Sequence, residues 1–372
     1  MALTKVSTGV VDMSGNTGGL VIAKGNGTDI SSGGERPTCN ATILGSVREN
    51  TTENKVEVCT AGGGTPAWRF LEEAGPSFTS LTVDYLVVAG GGGGASGYGG
   101  IDGGSGGAGG LITSWPGGSG GGSASELPFT FTLGTPYTVT VGEGGSGAAY
   151  ASPYMGVLAD SGGSSVFNNI TALGGGGSRS WGNSAFASSV SSGSPTYASG
   201  GGGTYTGSLG GSVSAGSGTS TSRGYSGSNG QQVLYYGGGG GGAGGAAGSG
   251  TLKTSGPGMN VSITSATISY AGGGGNPLSS PNGGGGLAPY ASGGGGNGTP
   301  NTGGGGGGAY GNGPTGGTGG SGVVILRYPS AYAINFQTGV GFFSSTATLS
   351  ATSEKVTTIT AGSGTITFAL TP

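Results

Sequence analysis

The chain has 372 residues, of which 100 are glycine, 7% carry a charge and none is histidine. Without histidine it cannot build a Ser-His-Asp or Cys-His catalytic arrangement, and a net charge of -3 argues against a basic face for nucleic acid. No stretch of 18 apolar residues occurs, so the sequence predicts no membrane span.

Charge is unevenly placed along the chain. Fifteen of the 25 Asp, Glu, Lys and Arg residues lie in positions 1–84 and only eight lie in 85–327, which predicts a domain boundary near residue 84. Residues 1–35 alternate short β-prone pieces with glycines, and this pattern predicts an irregular N-terminal docking arm.

Residues 36–83 predict a β-hairpin module. Two β-prone strands meet near Thr52, and in that register Arg48 opposes Glu57 as a cross-strand pair. Trp68 follows a short group of glycines and can cover one face of the hairpin.

The chain has two cysteines, Cys39 and Cys59. In the register centred near Thr52, Cys59 faces Ser46 rather than Cys39, so a disulfide across the hairpin is not favoured. Two thiols without histidine do not make a zinc site. We therefore interpret both cysteines as reduced, small residues.

Residues 84–328 form a block that is organised by runs of glycine. The block opens with Asp-Tyr-Leu-Val-Val-Ala followed by five glycines, and it closes with Ser-Gly-Val-Val-Ile-Leu-Arg-Tyr. Seven further runs of four to six glycines separate these two apolar strands, at 174–177, 200–203, 237–242, 272–275, 283–286, 293–296 and 303–308.

Such a block needs backbone hydrogen bonds to become ordered. Each glycine costs about 0.5–1 kcal/mol more than alanine to fix, and glycine supplies no side-chain core. An extended polyproline-II-like helix leaves every N–H and C=O available, so neighbouring helices without side chains can bond to one another, at about 1 kcal/mol net per bond. The sequence therefore predicts a bundle of packed polyglycine-II helices.

The alternative is a disordered linker rich in glycine and serine. β-prone segments interrupt the glycine runs, and turn-forming Asn-Pro and Asn-Gly-Pro steps separate the later runs; both features argue against disorder. Collagen is excluded because no strict Gly-X-Y repeat is present. The β-prone segments are 127–133, 137–141, 232–236 and 261–270.

The block contains an ordered series of five landmarks. They are the Tyr-Leu-Val-Val-Ala-Gly-Gly-Gly opening, Tyr-Thr-Val-Thr-Val-Gly at 137–142, Ile-Thr-Ala-Leu-Gly-Gly-Gly-Gly at 170–177, Tyr-Ala-Gly-Gly-Gly-Gly at 270–275 and the Ser-Gly-Val-Val-Ile-Leu-Arg-Tyr close. Through these landmarks the block resembles the glycine-rich domain of bacteriophage fibre and adhesin proteins. This resemblance implies a sandwich of polyglycine-II helices whose connecting loops, in some members, touch the host surface.

The segment 36–83 contains Gly45-x-x-Arg48-x-Asn50-Thr. Through this motif it resembles a small phage-fibre module, which implies a trimer.

Residues 329–372 predict a C-terminal β cap. Two alternating segments, 356–360 and 365–370, flank Ala-Gly-Ser-Gly and predict a β-hairpin. Three roles are open to it: a terminal cap, a trimer-closing unit or a second docking surface. The fold class predicted for the whole chain is mainly β plus a polyglycine-II helical sandwich, with almost no α-helix, in a trimeric fibre.

Aromatic residues between the glycine runs are the candidate receptor-binding residues. A close-packed bundle has no interior room for them, so we expect them on its outside or on its loops, where tyrosine and tryptophan bind with little loss of entropy. The alternative is that they pad the bundle or contact neighbouring subunits. The candidates are Trp181, Tyr197, Tyr205, Tyr225, Tyr290 and Tyr310.

The sequence predicts no catalytic residue, metal or cofactor. The block has four carboxylates, at Asp102, Glu126, Glu143 and Asp160, and a glycosidase of the paired-carboxylate type needs two. Glu126 and Glu143 sit beside β segments as isolated, solvated charges would, so an enzyme is disfavoured.

The first functional hypothesis is a phage virion fibre or adhesin. Its N-terminal residues would dock on other virion proteins, the hairpin module would form a homotrimer, and the block would present loops to a host-surface polysaccharide or outer-membrane protein. The alternative is a capsid (head) fibre or decoration protein with a structural role. The start of the chain lacks the apolar core of a secretory signal, so we expect synthesis in the host cytoplasm and a final location in the virion.

Overall fold

The computed structural model describes most of the glycine-rich block and the C-terminal region, with parts of the first 79 residues. The chain divides into two compact units, Met1–Thr79 and Ser80–Pro372. The described residues are 24–25, 47–50, 55–60, 65–70, 80–97, 102–149, 157–178, 197–204, 223–230, 236–248, 254–276, 281–289, 292–311, 315–337 and 341–371.

The first unit contains a four-stranded sheet. Its strands are β1 (Lys24–Gly25), β2 (Val47–Asn50), β3 (Lys55–Thr60) and β4 (Ala67–Phe70). They lie in the order β1-β2-β3-β4, with β1 parallel to β2 and the other neighbours antiparallel.

The predicted hairpin register is confirmed, because Arg48 on β2 lies opposite Glu57 on β3. Trp68 belongs to a third strand of the same sheet, β4, where it pairs with Cys59, instead of covering a two-stranded hairpin. The expectation of a reduced Cys59 is wrong, since this residue is disulfide-bonded. The register excludes only a partner on the facing strand. It does not constrain residues before β2 such as Cys39, which lies outside the described residues.

The second unit is built from strands, and its described residues contain no helix, as the composition predicts. The strands are β5 (Ser80–Val88), β6 (Leu111–Thr113), β7 (Phe129–Thr132), β8 (Tyr137–Thr140), β9 (Ser165–Phe167), β10 (Ile170–Ala172), β11 (Met259–Val261), β12 (Ile268–Tyr270), β13 (Val323–Pro329), β14 (Tyr332–Phe336), β15 (Phe343–Leu349), β16 (Glu354–Ala361) and β17 (Ser363–Leu370).

The two apolar strands that open and close the glycine-rich block pair with each other. β5 and β13 run antiparallel, from Asp84 opposite Arg327 to Val88 opposite Val323. They form the centre of a six-stranded sheet of order β15-β16-β13-β5-β6, with β7 also paired to β5. Both faces of this pair are buried, which is why the two strands read as continuous apolar runs.

A five-stranded sheet of order β10-β9-β8-β17-β14 packs on one face of the first sheet. Between the two sheets lies an aromatic core in which Phe131, Phe167 and Phe368 are fully buried. Neighbouring ring centroids in this core, including those of Tyr85 and Tyr328, lie 4.5–5.6 Å apart. Each fully buried phenylalanine stabilises the fold by roughly 1.5–3 kcal/mol, so this sandwich anchors the glycine-rich part.

The opposite face of the six-stranded sheet is covered by the hairpin of β11 and β12, through Val261, Ile263 and Tyr270. The sequence predicts one β-prone segment over 261–270, whereas the structure has a turn between two antiparallel strands. The turn contains Ser265 in the left-handed region, with a φ of 70°. Serine and threonine therefore serve here as turn residues rather than as the polar face of a strand.

The predicted C-terminal hairpin is wrong. β16 lies between β13 and β15 in the six-stranded sheet, whereas β17 lies between β8 and β14 in the five-stranded sheet. Gly362 joins them with a φ of 108°, a conformation that glycine adopts at little cost, and it carries the chain from one layer to the other. Alternating polarity reports which face of a strand is buried, but it does not identify the neighbouring strand.

The glycine runs form extended segments that bond to one another through the backbone. The N–H groups of residues 89–95 donate in rotation to three antiparallel segments, and their C=O groups accept in rotation from three parallel ones, at N···O distances of 2.8–3.1 Å. Every third residue therefore reaches the same neighbour. The neighbours are 104–110, 160–163 and 317–320 on the donating side, and 145–148, 175–178 and 306–309 on the accepting side.

The interior of this bundle has little room for side chains. On any glycine of residues 90–94, an ideal Cβ atom would lie 2.0–2.3 Å from a carbonyl oxygen of a neighbouring segment. A serine is accommodated at Ser105, where its hydroxyl donates to the Gly275 carbonyl at 3.0 Å and accepts from the Gly308 N–H at 3.2 Å. The spacing between backbones thus decides which residue types this region accepts.

The C-terminal strands are part of the same two sheets as the block, since β16 pairs with β13 and β17 pairs with β8. The predicted domain limits at residues 35, 83 and 328 stay predictions. Within the described ranges, no helix has the length and apolarity to cross a membrane.

Replacing Gly106 by alanine tests the close packing. Its Cβ would lie 2.0 Å from the Gly92 carbonyl oxygen, so we expect a loss of about 3 kcal/mol in the free energy of unfolding. The matched control is Gly341→Ala, because nothing lies within 4 Å of a Cβ at Gly341; we expect it to stay within about 1 kcal/mol of the wild type. Chemical denaturation measures both. Equal stabilities of the two variants would contradict the packing described here.

Candidate functional site

The glycine-rich segments run between two ends of the bundle. At the sheet end, Ala89 follows β5 and Gly110 precedes β6, and these two residues are hydrogen-bonded at 3.0 Å. At the other end, which we call the loop end, the Ala309 N–H donates to the Ala95 carbonyl at 2.8 Å. Ser96, Asp102, Ala148, Ser178, Asn276 and Tyr310 lie in this region.

Tyr310, one of the predicted binding residues, lies at the loop end. It exchanges backbone hydrogen bonds of 3.0 and 3.1 Å with Gly293, and it also pairs with Asp102. Its side chain is half-buried. The backbone of Tyr310 is therefore fixed by two neighbouring segments while its ring remains partly accessible.

Tyr197 and Tyr225 lie away from Tyr310, towards the sheet end. The Tyr225 carbonyl accepts from the Gly200 N–H at 3.0 Å, and its N–H donates to the Gly242 carbonyl at 3.1 Å. Both tyrosine side chains are half-buried. The structure brings these two residues onto neighbouring segments but does not bring them together with Tyr310. Trp181, Tyr205 and Tyr290 lie outside the described residues.

Three of the four carboxylates in the block lie on its surface or in an ion pair. Glu143 and Asp160 are exposed. Glu126 forms an ion pair with the Arg223 guanidinium, so the prediction that it is an isolated charge is wrong. The partner is 97 positions away in the chain, and spacing along the sequence gives no signal for such a pair.

The fourth carboxylate, Asp102, is buried at the loop end with none of its surface exposed. Neither carboxylate oxygen has a hydrogen-bond partner of good geometry within the part of the chain that is described. The backbone of Gly237 lies near it and lowers its pKa, but burial acts more strongly and raises the pKa of Asp102 to about 7 from the ordinary 3.8. The carboxyl group is therefore partly protonated near neutral pH.

The sequence contains a weak signal for the burial of Asp102. Asp102 precedes Gly103 and Gly104 in a segment of small residues, and a carboxylate inside a close-packed segment must be buried. The residues around Asp102 come from distant parts of the chain. The sequence therefore could not predict that the Asp102 carboxylate lacks hydrogen-bond partners. Among the described residues, no group of three or more histidine, cysteine, aspartate or glutamate side chains could hold a metal ion.

The pKa of Asp102 makes stability depend on pH. The folded protein retains a proton that the unfolded chain loses above pH 3.8, so stability falls as the pH rises from about 4 to about 7 and then levels off. We expect Asp102→Asn to remove this fall, and to be more stable than the wild type at pH 8 by up to about 4 kcal/mol. Urea denaturation at pH 4 and pH 8 measures the difference.

The exposed Asp160 provides the control for this measurement. We expect Asp160→Asn to keep the pH dependence of the wild type. If the Asp102→Asn protein showed the same fall in stability between pH 4 and pH 8 as the wild type, the buried carboxyl would not be the group responsible.

A family described as a glycine-rich domain matches residues 72–329, which is more than half of the chain. No curated protein and no solved structure matches this chain. The matched range begins just before β5 and ends with β13, so it contains the closing strand pair and every glycine segment between them. The chain belongs to the glycine-rich domain family.

Proposed function

We propose that the chain is a structural fibre protein of a bacteriophage virion, and that it recognises the host cell surface through the loop end of its bundle. The observation that carries this proposal is the bundle itself, in which residues 89–95 bond to six neighbouring segments. Loops held by a rigid scaffold are well suited to binding, because the scaffold fixes their positions in advance.

We infer that the extended segments are polyglycine-II helices. Their hydrogen-bond partners repeat every third residue, which matches the three residues per turn of a polyproline-II helix. A β-strand reaches two neighbours in its sheet, whereas residues 89–95 reach six. At a rise of about 3.1 Å per residue, this segment would span roughly 19 Å from Ala89 to Ala95.

Among the predicted aromatic residues that the structure describes, Tyr310 lies at the loop end. The described segments that end at Ser178, Thr204 and Pro289 also reach this end; the Ser178 hydroxyl, for example, donates to the Gly104 carbonyl at 2.6 Å. Further along the sequence, these three segments are followed by Trp181, Tyr205 and Tyr290, respectively.

These four residues are the proposed contacts for a host-surface polysaccharide or outer-membrane protein. Tyrosine and tryptophan present a large, rigid area and one polar group each, so they bind sugars or protein with a small loss of side-chain entropy. No charge is needed for such contacts, which fits a block with few charged residues. We therefore propose a binding function without catalysis or a cofactor.

The other proposed partners, which are virion proteins and further copies of the chain, are assigned to the first unit. We propose that residues 1–35 dock on other virion proteins and that the sheet of β2, β3 and β4 lies in a homotrimer. The compact division at Thr79 supports separate tasks for the two units. The protein would be made in the host cytoplasm and end in the virion.

One observation favours the alternative of a capsid fibre or decoration protein. Tyr197 and Tyr225 lie on neighbouring segments away from the loop end, so they do not belong to the proposed binding surface. Half-buried tyrosines on the side of a bundle are well suited to contacts with neighbouring subunits. In this alternative, the bundle would serve as a spacer and the loop end would bind nothing on the host.

Competition for host cells tests the proposed function. An excess of purified full-length chain should slow adsorption of the phage that encodes it. We expect Tyr310→Ala to weaken this competition about tenfold, the loss typical of one aromatic contact at the centre of an interface. Tyr225→Ala is the matched control, and it should compete like the wild type.

Gold-labelled antibody against the chain locates it on the virion by electron microscopy. Label at the ends of tail fibres, together with competition, supports recognition of the host. Label on the head without competition would replace that role by the structural one, and virions without label would remove the phage-fibre proposal altogether.

A further inference from the structure

We propose that the outer edge of β15 pairs with β15 of a second copy of this chain. The two strands would run antiparallel and join the six-stranded sheets of the two copies. This inference goes beyond the proposed function, because it concerns the C-terminal strands rather than the loop end or the first unit.

β15 is a weakly protected sheet edge. Among the described strands it pairs with β16 alone, and six of its seven residues are exposed. Its sequence, Phe-Ser-Ser-Thr-Ala-Thr-Leu, contains no charge and no proline. Proteins protect edge strands with lysine, proline, bulges or short length, because free N–H and C=O groups at an edge bind another strand.

The other outer strands of the two large sheets are protected. β6 and β10 have three residues each and β7 has four. On β14, the Lys355 ammonium group donates to the Tyr332 carbonyl at 2.9 Å, and only one of the five residues is exposed. β15 has one protective feature, a register shift between Phe343 and Ser344. Residues 344–349 continue beyond it in regular pairing with β16.

The sequence of β15 is complementary to itself. In an antiparallel pair centred on Thr346, Phe343 lies opposite Leu349 of the second copy, Ser344 opposite Thr348, and Ser345 opposite Ala347. Phe343 is 69% exposed, and this pairing places an apolar Phe343–Leu349 contact at each end of the interface. The middle pairs combine hydroxyl and methyl groups, which form favourable cross-strand contacts without charge repulsion.

A second copy fits this edge better than a charged partner does. No side chain of β15 can form an ion pair with another protein, so selection of a partner depends on shape, apolar ends and backbone bonds. An identical strand supplies all three in one register. The inside face of β15 is already fixed, since Thr346 hydroxyl bonds to Thr357 hydroxyl at 2.8 Å and Thr357 bonds to Tyr328 at 2.8 Å.

Two paired charge variants test this register in the full-length chain. Ser345 and Ala347 are exposed and would face each other across the interface. We expect Ser345→Lys with Ala347→Lys to place like charges opposite each other and to halve the mass of the assembly. We expect Ser345→Lys with Ala347→Glu to restore the wild-type mass, because each lysine then faces a glutamate of the second copy. Sedimentation equilibrium over a range of concentrations measures the masses.

The thermal melt of each variant shows whether it folds like the wild type, as substitutions at exposed positions should. A double-lysine variant with the same mass as the wild type would overturn the proposal, whatever that mass is. A lysine–glutamate variant that stays at half mass would overturn the register centred on Thr346.

Discussion

The distance between neighbouring backbones is the constraint on which the structure depends. Segments in the bundle lie close enough for N–H···O bonds of 2.8–3.1 Å around residues 89–95, and at this separation a Cβ atom on residues 90–94 would lie 2.0–2.3 Å from a carbonyl oxygen. Where segments bond on all sides at this separation, a Cβ atom has no room, although buried residues such as Ser105 and Ala108 fit at other positions. The high glycine content is thus a steric requirement, and its cost in conformational entropy is offset by the backbone bonds that the close approach permits.

The side-chain core and the backbone bundle have separate tasks. The core between the two sheets contains the phenylalanines and tyrosines, such as Phe131, Phe167 and Phe368, and it holds β5 against β13. Those two strands fix the first and last glycine segments at one end. At the far ends of the segments, backbone hydrogen bonds such as the one from the Ala309 N–H to the Ala95 carbonyl hold the chain in place of a side-chain core.

Local sequence patterns correctly predict the features that depend on residues close together in the chain. The glycine runs, the apolar strands at both ends of the block and the Arg48–Glu57 register could be read from composition, alternation and turn position. The errors came from partners distant in sequence. β16 and β17 alternate like a hairpin but belong to different sheets, Glu126 pairs with Arg223, and Cys59 is disulfide-bonded although its hairpin register offers no cysteine.

The sequence identifies candidate binding residues but not their arrangement in space. Tyr310 and Tyr225 are both half-buried on the bundle, but they lie towards opposite ends of it. The lengths of the glycine runs do not show how many times the chain reverses direction, so the sequence does not show at which end a given tyrosine lies. Asp102 shows the same limit. Its burial follows from the segment that contains it, but its lack of hydrogen-bond partners depends on which other segments surround it.

Amide hydrogen exchange of residues 89–95, 103–110 and 303–309 in the intact protein tests the central claim most directly. If peptide groups bonded on all sides hold the bundle together, these glycine amides should exchange only through global unfolding, with protection equal to that of the β5 and β13 amides. Exchange of the glycine segments at the rate of an unstructured peptide, while β5 and β13 stay protected, would contradict it.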